Sequence, residues 1–106
     1  MQIYIKIINL GGVSNILGDD NAEIVEVNGD KVDVDAREFV GQMSLVLSSW
    51  KEKYINNLIL DGEEFRVKIV NDEGEERMLY GKNAFPENYG EFKKLIGEVL
   101  EKWKSE

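Results

Sequence analysis

Apolar residues in this chain recur with two different periods, and the switch between them limits the folds it can reach. Near the start the spacing is two, with Ile3, Ile5 and Ile7 on one side and Tyr4 and Lys6 on the other. That is the signature of a half-buried strand. From residue 36 the spacing becomes helical: Ala36, Phe39, Val40, Met43, Val46, Leu47, Trp50 and Tyr54 share one face. Period two returns in "EFRVKIV", residues 64–70. A second helical stripe then closes the chain with Tyr89, Phe92, Leu95, Ile96, Val99, Leu100 and Trp103. Strand faces and helical stripes in one short chain must cover each other, so the reading is an α+β fold. We expect antiparallel sheet of about six strands with two helices, over roughly residues 35–54 and 88–104.

Turn residues set the boundaries. Gly11-Gly12 ends the first strand, and a short strand over Val13 to Leu17 leads to the turn "GDDN" and the strand "AEIVEV". "NGDK" at residues 28–31 predicts a tight hairpin, because Asn-Gly readily takes two positive φ angles. Asp35 is placed to cap the first helix, with Glu38 completing a capping-box pattern. "YINNLIL", the turn at Asp61-Gly62 and "NDEG" bound the later strands.

The segment "YGKNAFPENYGEF" holds the single proline, Pro86, which biases Phe85 to an extended backbone. Here the expectation is architecture: Gly81 at positive φ, Asn83 bonded to local backbone, and Asn88 capping the second helix.

The two helical stripes superpose without a gap at an offset of 53 residues. Asp35 falls on Asn88, Glu38-Phe39 on Glu91-Phe92, Trp50-Lys51 on Trp103-Lys104, and the acidic turn Asp19-Asp20 on Asp72-Glu73. The register suggests a duplicated βββα unit, residues 1–53 and 54–106, within one domain.

Residues 61–100 carry a further pattern: Asp61-Gly62 with Phe65, then Gly81, Asn83, Pro86, Asn88 and Phe92. This resembles a group of small, uncharacterised bacterial domains with an Asp-Gly-x-x-aromatic strand and a Gly-x-Asn-x-x-Pro-x-Asn helix entry. Phe65 stands where the group usually has Trp. The resemblance implies an α+β fold and carries no catalytic residue to this chain.

Composition narrows the chemistry. The chain has no Cys, His or Thr, so disulfides, thiolate and Ser-His catalysis and the usual zinc sites are out of reach. Asp30, Asp33, Asp35 and Glu38 cluster in sequence, but calcium needs a loop wrapping six to eight oxygens, and the central glycine of such a loop is missing. We therefore expect no metal, no cofactor and no enzyme. The net charge of −8 repels phosphate backbones, so nucleic acid is not expected as a partner. The amino terminus reads as a strand, not a signal or membrane segment, and a cytoplasmic bacterial protein is expected.

What is left is binding. The leading expectation is a non-enzymatic acidic module that covers a basic protein partner, of the inhibitor or immunity type. Leu45, on the polar side of the first helix, and Trp50 and Trp103, at the helix ends, are the candidate anchors. The alternative is a domain for a small ligand or ion, using the Asn83–Pro86 turn or the Asp30–Glu38 segment.

Overall fold

A computed structural model describes residues 1–56 and 62–105. The element order is β1 (Gln2–Asn9), β2 (Gly12–Asp19), β3 (Ile24–Val27), β4 (Asp30–Asp35), α1 (Ala36–Leu47), β5 (Lys53–Ile55), β6 (Glu64–Val70), β7 (Glu76–Lys82) and α2 (Tyr89–Ser105). Among the described residues the strands form one seven-stranded sheet in the order β4-β3-β2-β1-β6-β7-β5. All pairings are antiparallel except β5 with β7, so the sheet is mixed. None of the described helices is long and apolar enough to cross a membrane.

The central strand is β1, and its isoleucines explain that position. Ile3, Ile5 and Ile7 are each no more than 4% exposed and face the helices, while Tyr4 and Lys6 point to the opposite side. The Asn28-Gly29 hairpin forms as its residues predict, with φ of 52° and 88° joining Val27 to Asp30.

Both helices lie on one face and cross the strands in opposite senses. Helix α1 leaves β4 and ends beside Arg77 of β7, whereas α2 starts against Phe65 of β6 and ends where Trp103 bonds Asp30 of β4. Phe39, Met43, Leu47, Phe92, Ile96 and Val99 all reach the core, and none exceeds 4% exposure. Full burial of one such side chain contributes about 1.5–3 kcal/mol.

Three expectations are corrected here. Seven strands form, not six, because Lys53–Ile55 joins the sheet as a short parallel edge strand. Correspondingly, α1 stops at Leu47 and does not run to residue 54. Ser48 folds its hydroxyl back to the carbonyl of Leu45, and the Trp50 amide bonds Leu47 three residues behind it. Trp50 and Tyr54 keep helical spacing without being helical. The expected strand through "YINNLIL" falls partly on residues 57–60, outside the described residues.

The third correction concerns the repeat. Strands β1 to β4 form a meander, but their counterparts do not: β5 pairs with β7 in parallel, and β6 pairs with β1. The 53-residue offset carries β4 onto residues 83–88, which form no strand. No duplication is shown.

Candidate functional site

The segment around Pro86 acts first as a packing device. Gly81 lies inside β7 and does not have a positive φ, contrary to expectation. Its glycine requirement comes from the ring of Phe65: a Cβ at Gly81 would lie 2.1 Å from the ring. The positive φ belongs to Asn83, at 58°, whose amide donates to the carbonyl of Glu63. The Asn83 side chain lies on the other glycine of the pattern, since a Cβ at Gly62 would sit 1.8 Å from its Oδ1. Asn83 is 8% exposed and Pro86 is buried, while Lys82 and Phe85 beside them are exposed. Asp61 lies outside the described residues.

Asn88 has a different job from the expected one. Its backbone carbonyl accepts the amides of Glu91 and Phe92, but its side chain turns away from α2. Oδ1 accepts from the Trp50 indole at 2.6 Å, and Nδ2 donates to the carbonyl of Val46 at 2.9 Å. One side chain thus ties the start of α2 to the end of α1. Asp35 does cap α1, with its carboxylate accepting from the Glu38 amide at 3.1 Å, and Glu38 in turn accepts from Gln42.

Arg77, which sequence reasoning did not single out, completes that junction. Its guanidinium donates to the carbonyls of Leu47 and Trp50. A positive charge there also opposes the negative end of the α1 dipole, which has no basic residue of its own in its last turn.

Of the three candidate anchors, Trp50 is not at the surface. It is 2% exposed and packs edge-on to Phe65, with Phe92 and Tyr89 alongside. Trp103 is half-buried and donates from Nε1 to Asp30, so it fastens α2 to β4. Leu45 is the one fully available, at 76% exposure.

Leu45 stands at the edge of a groove between α1 and α2. Two contiguous hollows of about 400 and 240 Å³ share Gln42, Leu95 and Glu98. Their floor is apolar, from Val46, Leu95 and Val34. Their rims carry Asp35, Glu38, Glu91 and Glu98 against Lys94 and Lys102. The groove therefore combines an exposed leucine with a surplus of carboxylates.

A second polar cluster was not legible in the sequence. Glu63 accepts from Lys93, from the phenol of Tyr89 and from Asn9. Burial, the strongest single influence on Glu63, works to raise its carboxyl pKa. The bonds from Lys93, Tyr89 and Asn9 together outweigh it and hold the group below its ordinary value. Burial first, and then the bond to Glu63, pushes the Tyr89 phenol well above the ordinary tyrosine range. Both groups keep their charge states near neutral pH, so the cluster is a brace between α2 and the entry to β6. Among the described residues no group of His, Cys, Asp or Glu is arranged to hold a metal ion.

Comparison with family models, with curated proteins and with solved structures gives no match to this chain.

Proposed function

We propose that this protein is a non-enzymatic binding module that seats a basic segment of a protein partner in the groove between α1 and α2. The observation that carries the reading is the exposed Leu45 beside a half-buried apolar floor, ringed by Asp35, Glu38, Glu91 and Glu98. An apolar anchor of the partner would fill the floor and displace water, while its cations would pair with the rim. The overall charge of −8 would steer such a partner toward the surface. An inhibitor or immunity-type role, masking a basic surface, fits this chemistry.

The test is affinity capture from the native host with the wild-type protein and with Leu45→Lys. The expected result is a basic protein retained by the wild type, released as salt rises, and lost from the variant. Equal retention by both would contradict the reading. Leu45 is exposed, so the variant should fold with stability within ~0.5 kcal/mol of wild type.

A further inference from the structure

The sheet face that the helices leave open carries a different arrangement. Cross-strand register sets Leu17, Tyr4, Lys68 and Met78 in one row over β2, β1, β6 and β7. Asn15, Lys6, Arg66 and Tyr80 form the next row. All of them but Tyr80 line a trough of about 280 Å³ at the middle of the sheet.

The first row is largely apolar. Tyr4 is 39% and Met78 65% exposed, and the Lys68 ammonium lies 5.6 Å over the Tyr4 ring. The second row holds Lys6 directly opposite Arg66. Like charges in directly opposed positions destabilise a sheet. Arg66 is compensated by Glu64 at 3.1 Å, and Lys68 by Glu76 at 3.1 Å. Lys6 has no hydrogen-bond or ion-pair partner among the described residues. A chain with eight excess acids thus leaves one cation uncompensated at the centre of its open face. A local cost without a structural return marks a place where the residue serves something other than the fold.

We propose that this trough binds an organic anion, with a flat apolar body on Leu17, Tyr4 and Met78 and its carboxylate, sulfonate or phosphate on Lys6 beside Arg66. Glu26 stands opposite Leu17 at the far end of the apolar row and repels a negative head there, which directs the head toward Lys6. The volume suits a small ring system. A nucleic-acid strand crossing the face would bring its phosphates against Glu26, Glu64 and Glu76 as well. The site is on the opposite side of the sheet from the helical groove and does not depend on it.

The experiment is fluorescence titration with 8-anilinonaphthalene-1-sulfonate, in parallel with the uncharged N-phenyl-1-naphthylamine. Wild type, Lys6→Gln and Leu45→Lys are compared, each with a thermal melt. The expected result is saturable one-to-one binding of the sulfonate, weakened roughly tenfold in Lys6→Gln and unchanged in Leu45→Lys. Binding of the uncharged amine should stay within about twofold of wild type in Lys6→Gln, because only the charge is removed. The melting temperature of Lys6→Gln should stay level or rise, since a like-charge pair is relieved. Absent saturable binding, or equal sulfonate affinity in wild type and Lys6→Gln, would overturn the proposal. So would tighter binding of an oligothymidylate that is lost in Lys6→Gln, which would reassign the face to single-stranded nucleic acid.

Discussion

The indole Nε1 of Trp50 donates to Oδ1 of Asn88 across 2.6 Å, joining two residues 38 positions apart. Because the same amide holds the Val46 carbonyl, removing it leaves a buried donor and a helix-end acceptor both unpaired. Asn88→Ala should therefore cost ~2–4 kcal/mol in chemical denaturation, above the ~1 kcal/mol typical of a lost cap. Asn88→Asp separates the two roles. Aspartate caps a helix as well as asparagine but cannot donate to Val46, so it too should lose at least ~1 kcal/mol. A fully stable Asn88→Asp variant would restore the simple cap.

Gly81 and Phe65 are a matched pair. Gly81→Ala should destabilise by ~1–3 kcal/mol or more, because the new methyl group overlaps the ring. Phe65→Leu should recover part of that loss when combined with Gly81→Ala, although alone it also destabilises. A double-mutant cycle reads the coupling directly, and additive losses would show that the ring is not what excludes the side chain.

Arg77 satisfies two carbonyls at the end of α1, one of them beyond the helix itself. Arg77→Met preserves the stem and removes the donors and the charge. A loss of ~1.5–3 kcal/mol in urea unfolding is expected, with the earliest hydrogen exchange at the carboxyl end of α1. Unchanged protection there would show that water replaces the guanidinium without cost.

Glu63 and Tyr89 make stability sensitive to pH at both extremes. The Glu63 pKa is depressed in the folded state, so its contribution is complete above the ordinary glutamate value and is lost as pH falls below it. The Tyr89 pKa is raised, so its contribution is complete below the ordinary tyrosine value near 10 and declines as pH climbs past it. Glu63→Gln should flatten the acid limb of the stability curve and shorten the alkaline one. An unchanged acid limb would mean that other carboxylates govern acid unfolding.

How much of this could be read from residues depends on how local the cause is. The Asn28-Gly29 hairpin, the Asp35 cap, the first helical stripe as far as Leu47 and the second stripe are set within a few positions, and the structure has them where the sequence places them. Leu45 is exposed for the same reason, since it lies opposite the stripe. Trp50 kept the helical period yet left the helix, because Asn88 and the aromatic core hold it from 38 residues away. The parallel placement of β5, the adjacency of β1 and β6, and hence the meeting of Lys6 with Arg66, are pairings between distant segments. Alternation marks which residues face outward but not which strand comes next. Asn88 shows the limit: its place just before α2 is local, but the Trp50 indole and Val46 carbonyl that its side chain meets are 38 and 42 residues away.

In the proposed function the partner would sit on the helical face, away from the Pro86 turn and the open sheet. Amide hydrogen exchange of the captured complex against the free protein tests this most directly. New protection is expected only on the outer turns of α1 and α2 around Gln42, Leu45, Leu95 and Glu98, with the strands of the open face unchanged. Protection centred instead on Lys82 to Phe85, or along Tyr4, Lys6 and Arg66, would contradict it.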